Sequence, residues 1–448
     1  MKTTKMFSCS GCDHTAPRWF GRCPSCDAWG TAQESSTAPA TTRAASSLVV
    51  ERLDRGGAPR PRIRTGVGEL DRVLGGGLVP GSVVLLSGDP GIGKSTLVLQ
   101  MVDGVTRAGG SALLVTGEES LDQVSLRALR IGVAADRLNA AASSSLPDVV
   151  AAGAQARPSV LVVDSIQTLQ DPAHDSAAGS VVQVRECAAS LVRFAKASGV
   201  AVVLIGHVTK EGTVAGPRTL EHLVDAVISL EGERSGTFRL LRALKNRFGS
   251  CDETGVFTMA ADGLQGVEDP SAMFLADRLP GVAGSSVFPA LEGARPVLIE
   301  VQALVTQTTL AQPRRVAIGC DARRLSLLIG VLAERALCRL GDKDVFVAAA
   351  GGSQIREPAG DLSICLSLLS AASKQPIHHG TLAVGEVGLA GEVRRVPGLQ
   401  RRIAEAERLG FDKAIVPRGS GVPSKRMQMI EVAEVPQALR AASTLAVA

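Results

Sequence analysis

The chain has 448 residues, more than one hydrophobic core usually holds, which favours about three folding units. Its 45% hydrophobic and 21% charged residues are typical of a folded globular protein, and its net charge of +4 is compatible with a polyanionic partner without requiring one. Because the sequence has no apolar run of about 18 residues and no apolar signal core after Met1, we expect a cytoplasmic protein with no membrane partner.

Four of the nine cysteines form two Cys-x2-Cys pairs near the N-terminus. The pairs are Cys9 with Cys12 and Cys23 with Cys26, ten residues apart. Two thiolate pairs complete a tetrahedral Zn²⁺ site, and a reducing cytosol disfavours the alternative of disulfides. We therefore predict a structural zinc finger over residues 1–33, which depends on the metal to fold. The small polar residues that follow predict a linker over 34–62.

A glycine-rich loop lies between a predicted strand and a predicted helix. It reads Gly88-Asp89-Pro90-Gly91-Ile92-Gly93-Lys94-Ser95-Thr96. The spacing is that of a P-loop, in which backbone N–H groups and the helix dipole bind phosphate. Lys94 would then reach the β and γ phosphates of ATP, and the Ser95 hydroxyl would ligate Mg²⁺. The alternative is a chance glycine-rich turn, which the strand-to-helix context disfavours.

Apolar strands and helices alternate around this loop. Strand-like runs occur at 112–116, 160–164, 200–205 and 226–230, with helix-length segments such as 181–197 between them. This alternation predicts an α/β fold over residues 63–270, with a parallel sheet covered on both faces. Ligands bind such sheets at the carboxyl ends of the strands.

Three candidate catalytic residues follow those strands. Asp164 ends one run and is interpreted as the Walker B residue that holds the Mg²⁺ shell. Glu118 is placed to orient the attacking water, while Glu119 is more simply explained as a helix cap. His207 is placed to sense the γ-phosphate.

Several segments together resemble the RadA (Sms) family of bacterial DNA repair proteins, relatives of RecA and of replicative hexameric helicases. They are the four-cysteine finger, the run 74–81, the P-loop, the segment 116–120 and Lys245-Asn246-Arg247-Phe248-Gly249. The resemblance extends from Cys9 to near the C-terminus. It implies that Glu118 is the catalytic glutamate, and that His207 stands where RecA relatives usually carry Gln or Asn.

The resemblance also implies a homo-hexameric ring with ATP bound between subunits. Lys245 and Arg247 would then act on the phosphates of a neighbouring subunit, where cations stabilise the charge that develops on the γ-phosphoryl group. Segments 170–180 and 209–218 correspond in order to the DNA-binding loops of RecA, and their composition predicts flexibility. Their only cations, Lys210 and Arg218, are candidate contacts to DNA phosphates. The alternative is a mobile surface loop with no ligand.

Residues 271–448 predict a separate α+β domain that resembles the proteolytic domain of Lon. Strands are expected at 296–305, 345–350 and 381–387, and an amphipathic helix at 323–340. A Lon-type protease needs a serine nucleophile and a lysine base. Asp361 and Gln400 occupy the corresponding positions, and Ser363 is displaced by two residues. We therefore expect a proteolytically inactive scaffold, whose arginine pairs (314–315, 323–324, 394–395 and 401–402) could line a ring opening.

The sequence favours a DNA-dependent ATPase of recombinational DNA repair, a ring-forming motor on single-stranded DNA that promotes branch migration. The implied cofactors are ATP, Mg²⁺ and Zn²⁺, and the implied partners are single-stranded and branched DNA and a RecA-type recombinase. One alternative is an ATP-gated adaptor that binds DNA or a recombinase without translocating. Another is an ATP-dependent peptidase, which Asp361 and Gln400 disfavour.

Overall fold

The computed structural model describes residues 6–12, 14–35, 61–207, 220–232 and 238–444. The chain divides into two compact units, residues 1–59 and residues 60–448. Lys210 and Arg218, the predicted DNA contacts, lie outside the described residues, as does most of the predicted linker. No helix in the described ranges is both long and apolar enough to cross a lipid bilayer.

The first unit is a small antiparallel sheet around the cysteines. Its strands are β1 (Met6–Cys9), β2 (Thr15–Ala16) and β3 (Ala32–Ser35), in the order β2-β1-β3. Within the described residues of this unit, the buried apolar side chains are those of Cys9 and Cys23. Because so little apolar surface is buried, a metal held by the cysteines would supply most of the folding free energy.

A nine-stranded sheet is the centre of the second unit. Its strands are β4 (Val83–Gly88), β5 (Ala112–Thr116), β6 (Asn139–Ala142), β7 (Val160–Asp164), β8 (Ala201–Ile205), β9 (Ala226–Glu231), β10 (Phe238–Asn246), β11 (Thr254–Ala260) and β12 (Gly263–Gly266). The order is β12-β11-β10-β9-β4-β8-β7-β5-β6. The six strands from β9 to β6 are parallel, as predicted. The other three extend the sheet with antiparallel pairs.

Helices cover both faces of this sheet, which confirms the predicted α/β architecture. They are α1 (Gly68–Val73), α2 (Lys94–Arg107), α3 (Leu121–Arg130), α4 (Leu146–Ala156) and α5 (Val181–Ser198). Side chains of β4 alternate between two apolar clusters: Val84 and Leu86 pack in the cluster of α2, and Val83 and Leu85 in that of α5. A strand buried on both faces needs a continuous apolar sequence, and β4 has one.

The remaining chain has the predicted α+β composition. Its strands are β13 (Ser285–Glu292), β14 (Arg295–Gln307), β15 (Arg315–Ile318), β16 (Lys343–Ala349), β17 (Thr381–Ala383), β18 (Glu386–Val387), β19 (Val393–Arg394), β20 (Lys413–Pro417) and β21 (Gln428–Val432). Its helices are α6 (Pro270–Leu275), α7 (Ala322–Arg335), α8 (Asp361–Ser373), α9 (Leu399–Arg408) and α10 (Val435–Thr444). The sheets are β13-β14-β16-β15, β17-β20-β21 and the pair β18-β19. One apolar cluster unites these elements.

The amphipathic helix expected at 323–340 ends earlier than its apolar pattern suggests. Helix α7 stops at Arg335, and Leu337 has a left-handed backbone with φ of 55°. The Cys338 N–H then donates to the Leu332 carbonyl oxygen at 3.0 Å. This return hydrogen bond satisfies an end carbonyl of the helix and directs the chain towards β16.

A buried ion pair joins the nucleotide-binding part of the second unit to its C-terminal part. Arg295 on β14 pairs with Glu69 on α1 and also donates to the carbonyl oxygens of Val267 (3.2 Å) and Glu268 (2.7 Å). Glu69 additionally accepts from the Val256 N–H at 2.8 Å. Each buried charge is therefore compensated by several hydrogen bonds, as burial of ions requires.

Replacing Arg295 by methionine should lower the free energy of unfolding by about 3 kcal/mol, because the buried Glu69 would keep only the half-exposed Arg72, 3.3 Å from its Oε1, as a counter-charge. Urea titration followed by circular dichroism measures the loss. The control is Arg394→Met, which removes an exposed ion pair with Glu392 and should cost less than about 1 kcal/mol. Equal effects of the two substitutions would contradict a structural role for the buried pair.

Candidate active site and metal centre

The glycine-rich loop between β4 and α2 depends on backbone shapes that side chains would prevent. Gly88 has φ of 150°, and a Cβ atom there would lie 2.4 Å from the Leu230 carbonyl oxygen. Gly93 has φ of 117° and is the N-cap of α2. The loop thus curls around the start of the helix, where backbone N–H groups and the helix dipole attract phosphate.

Lys94 is buried in the first turn of α2. Its Nζ donates to the carbonyl oxygens of Gly88 (2.8 Å) and Asp89 (3.0 Å). Burial lowers the pKa of the Lys94 ammonium because the charged form loses water, and the Asp164 carboxylate opposes this shift. A desolvated cation inside a phosphate-binding loop is suited to ATP, whose oxygens replace the missing solvation.

Ser95 and Asp164 lie together and are the residues that would hold Mg²⁺. The Ser95 hydroxyl donates to Asp164 Oδ2 at 2.7 Å, although the two residues belong to different elements, α2 and β7. Burial raises the pKa of Asp164, and the hydrogen bond from Ser95 opposes that rise. A hydroxyl beside a carboxylate fits this hard cation, which would neutralise charge on the β and γ phosphate oxygens when bound.

Glu118 lies beside this pair and is held by two side chains. The Ser165 hydroxyl donates to Glu118 Oε1, and His207 Nε2 is 3.2 Å from the same oxygen. Within the described residues both contacts involve Oε1, so Oε2 remains to accept a hydrogen bond from a water molecule. The structure thus brings together three residues that the sequence nominated separately, namely Glu118, Asp164 and His207.

Two polar residues in this cluster were missed by the sequence analysis. Ser165 is fully buried directly after Asp164, and Gln167 Nε2 lies 3.4 Å from the His207 carbonyl oxygen. The only indication of these residues in the sequence was their position within three residues of Asp164, where the Walker B strand ends. The interpretation of Glu119 as a helix cap was wrong, because Ser120 caps α3 in a capping box with Gln123.

Lys245 and Arg247 are not part of this cluster. Lys245 Nζ donates to the carbonyl oxygens of Glu221 and Val224, and Arg247 pairs with Asp225 at 3.2 Å. Burial, followed by the charge of Arg247, lowers the pKa of Lys245. The buried Asp225 also accepts from the Val83 N–H at 3.0 Å, which places both cations at the amino end of β4.

The P-loop lies at the opposite end of the same strand. From Val83 to Gly88, β4 spans about 17 Å, well beyond the reach of a lysine side chain.

Arg62, the last residue of the predicted linker, links two of the segments that carry the family resemblance, because it donates to the carbonyl oxygens of Leu74 (2.8 Å) and Phe248 (2.6 Å).

The segment 170–180, expected to be flexible, is anchored by one side chain. Gln183 is buried on α5, and its Nε2 lies within 3.1 Å of the carbonyl oxygens of Asp171, His174 and Ser176. Its Oε1 accepts from the Asp171 N–H at 2.9 Å. The polar, glycine-bearing composition suggested flexibility, because the anchoring side chain of Gln183 lies outside the segment and its contacts cannot be read from the segment's own residues.

Near the positions that the resemblance assigns to a Lon-type dyad, Asp361 and Ser363 form hydrogen bonds within the protein core. Asp361 is buried, pairs with Arg324 (2.9 Å from Nε to Oδ1) and accepts from the Val387 N–H at 3.0 Å. Burial raises the pKa of Asp361, and Arg324 opposes that rise. Ser363 is fully buried and donates to the Ala383 carbonyl oxygen at 2.6 Å, while Gln400 is exposed.

Three of the four arginine pairs contribute a side chain to contacts within the chain, and one of these side chains is fully buried. Arg402 is fully buried and forms a two-armed ion pair with Glu357, at 2.8 and 2.6 Å. Arg324 pairs with Asp361, and Arg315 donates to the Leu340 carbonyl oxygen at 2.7 Å. The ring opening expected from the sequence would therefore have fewer arginine side chains available to line it than the four Arg-Arg pairs suggested.

The four cysteines of the first unit form one cluster. Their Sγ atoms all lie within 4.8 Å of one another, with Cys9–Cys26 at 3.7 Å and Cys12–Cys23 at 3.5 Å. Tetrahedral Zn²⁺ with bonds of about 2.3 Å separates its sulfur ligands by about 3.8 Å, so the cluster fits the metal. Backbone N–H groups of Gly11 and Ser25 also donate to sulfur, each at 3.4 Å.

Replacing Cys12 by serine should reduce bound zinc from about one ion per chain to near zero and unfold the first unit, since the metal supplies its core. Atomic absorption measures the zinc, and limited proteolysis measures the folding. Cys251→Ser, at an exposed cysteine far along the chain, is the matched control and should keep its zinc. Full zinc content in the Cys12 variant would exclude the four-cysteine site.

Comparisons with known proteins agree with this arrangement. A model of the AAA domain matches residues 64–213, a model of the rubredoxin metal binding domain matches residues 7–34, and a model of subunit ChlI of Mg-chelatase matches residues 349–420. These matches cover the P-loop site, the cysteine cluster and part of the C-terminal region.

Curated relatives match nearly the whole chain. The DNA repair protein RadA of Bacillus subtilis is 45% identical over 451 residues, which cover 98% of each chain. The protein of that name from Pseudomonas aeruginosa is 46% identical over 98% of this chain and 99% of its own, and the one from Escherichia coli is 43% identical over 97% of each. The chain therefore belongs to the family of the DNA repair protein RadA, and it is an ATPase with an N-terminal zinc site.

Proposed function

We propose that this ATPase acts in the cytoplasm as a homo-hexameric ring that moves along single-stranded DNA and promotes branch migration during recombinational repair. The observation that supports this proposal best is the distance between the P-loop and the cations Lys245 and Arg247, at opposite ends of β4. These cations can serve an ATP site only in another copy. A contact between the two ends of the sheet joins different surfaces and therefore repeats around a ring.

Each catalytic residue has a defined task in this proposal. Lys94 and Ser95 bind the phosphates and Mg²⁺ together with Asp164, and Glu118 accepts a hydrogen bond from the attacking water. Ser165 and His207 hold Glu118 by Oε1. Lys245 and Arg247 of the adjoining copy stabilise the charge on the γ-phosphoryl group.

The DNA contacts are assigned to Lys210 and Arg218, which follow His207 in sequence. His207 contacts Glu118, so ATP hydrolysis beside that carboxylate can change the conformation of the following segment, which is proposed to bind DNA phosphates. Branched DNA and a RecA-type recombinase are the proposed partners. Proteolysis is disfavoured because the buried Ser363 hydroxyl donates to backbone carbonyls and, within the described residues, contacts no lysine that could act as its base.

Lys94→Ala should lower ATP turnover at least 100-fold while leaving the thermal unfolding temperature within a few degrees, because the lost ammonium acts on phosphate rather than on packing. Phosphate release measures turnover. Lys196→Ala, an exposed lysine on α5, is the control and should keep full activity. Retained turnover in the Lys94 variant would contradict the assignment of the P-loop.

The shared ATP site can be tested by mixing two inactive variants. Lys94→Ala keeps Lys245, and Lys245→Ala keeps the P-loop, so a mixed ring contains some complete sites. Random mixing in equal amounts should restore about a quarter of wild-type turnover. A complete site needs its P-loop from the Lys245 variant and its Lys245 from the Lys94 variant, and each condition is met in about half of the cases. A mixture no more active than its separate components would show that Lys245 does not act across subunits.

Strand displacement on a forked DNA substrate tests the motor itself. We expect ATP-dependent displacement by the wild-type protein and none by Lys94→Ala. Stimulation of ATP hydrolysis by DNA without any displacement would instead support a nucleotide-gated adaptor, and an ATPase indifferent to DNA would refute both.

A further inference from the structure

The turn that carries Glu118 is closed by the side chain of Thr116. This threonine is the last residue of β5, and it is only 3% exposed. Its hydroxyl accepts from the Glu119 N–H at 3.0 Å and donates to the Glu119 carbonyl oxygen at 3.1 Å. Because a hydroxyl has a single proton to donate, Thr116 uses its donor on this turn, and Glu118 lies between two residues that are bonded to each other.

The same turn also lies against the end of β7. The Gly117 N–H donates to the Asp164 carbonyl oxygen at 2.7 Å, and a Cβ atom at Gly117 would lie only 2.2 Å from Thr168 Oγ1. The Thr168 hydroxyl is itself bonded to the Ser165 carbonyl oxygen at 2.8 Å. The turn therefore approaches the Walker B strand this closely only because residue 117 has no side chain.

The two adjacent carboxylates of the turn have different surroundings. Glu118 contacts Ser165 and His207, as described above, whereas Glu119 forms an ion pair with Arg127 of α3. The side chains of Arg127 and Glu119 are 26% and 29% exposed, so water and salt screen this pair less than a pair on the open surface. Glu119 is thus held by its backbone and by its carboxylate, and both contacts fix the residue next to Glu118.

The contacts of Glu118 orient its carboxylate but do not fix the backbone that carries it. A glutamate side chain has several rotatable bonds, so its position depends on where its Cα atom lies. Displacing a reacting group by about 1 Å can slow a reaction about 100-fold. The groups that hold the turn therefore bear directly on the rate of the reaction at Glu118.

We propose that Thr116 and the ion pair of Glu119 with Arg127 are positioning residues for ATP hydrolysis. They hold the turn so that the Glu118 carboxylate accepts a hydrogen bond from the attacking water, and they act on the reaction through Glu118 alone. This inference rests on the role of Glu118 in the proposed function and adds the groups that fix its backbone.

Phosphate release from the full chain with ATP and Mg²⁺ tests the role of Thr116. Thr116→Val keeps the shape of the side chain and removes both hydrogen bonds, so kcat should fall about tenfold or more while KM for ATP stays within about twofold of wild type. Thr116→Ser restores the hydroxyl and should recover about half of wild-type kcat or more. The control is Thr106→Val, which removes a hydroxyl bonded to the Asp103 carbonyl oxygen at the far end of α2 and should leave kcat unchanged.

Residues that act through Glu118 should show non-additive effects with it. Glu118→Gln should lower the single-turnover rate about 100-fold or more, and adding Thr116→Val should lower the remaining rate by less than about twofold. Glu119→Gln keeps an oxygen that can accept from Arg127 and should retain about a third of wild-type kcat or more.

The proposal is overturned by wild-type kcat in Thr116→Val, or by a further loss of about tenfold when that change is added to Glu118→Gln. A loss in Glu119→Gln as large as that in Glu118→Gln would also overturn it, because Glu119 would then be a second reacting carboxylate.

Thermal unfolding followed by circular dichroism checks that each variant is folded. If Thr116→Val does not fold, Arg127→Met takes its place, and it should lower kcat about threefold or more with the same non-additivity, while wild-type kcat in that variant would overturn the proposal. Wild-type turnover in Glu118→Gln would refute the role of Glu118 in the proposed function. Loss of turnover there beside a normal Thr116→Val would refute only the positioning residues.

Discussion

Strand β4 imposes the constraint on which the rest of the structure depends. At its amino end the Val83 N–H donates to the buried carboxylate of Asp225, which also pairs with Arg247. At its carboxyl end Gly88 lies against the Leu230 carbonyl oxygen and opens the phosphate-binding loop. One strand therefore separates the glycine-rich loop from the end that carries Lys245 and Arg247, and this separation is the reason for proposing that the two meet between copies of the chain.

The active-site charges are compensated by polar contacts rather than by direct ion pairs. Lys94 donates to loop carbonyls, and Asp164 accepts from a hydroxyl. Burial consequently lowers the pKa of the lysine and raises that of the aspartate. Such groups are incompletely solvated in the protein alone, so phosphate and Mg²⁺ gain binding free energy from them.

The C-terminal part uses its charges differently. Asp361 with Arg324 and Glu357 with Arg402 form buried ion pairs with additional hydrogen bonds to the backbone. Asp361 stands where the resemblance to Lon-type proteases would place the serine nucleophile. A side chain that compensates a buried charge is not available for proton transfer or for binding DNA, which explains why doublets of arginine in the sequence overstate the basic surface.

The sequence alone determined the zinc cluster, the P-loop and the parallel strands, because each rests on short-range spacing or on continuous apolar runs. It also nominated Glu118, Asp164 and His207 one at a time. Only the tertiary structure showed that Ser165 and Gln167 join them, that Gln183 anchors 170–180, and that Leu337 ends α7 early. These features depend on contacts between elements, and the partner of a buried polar group is set by packing rather than by its neighbours in sequence.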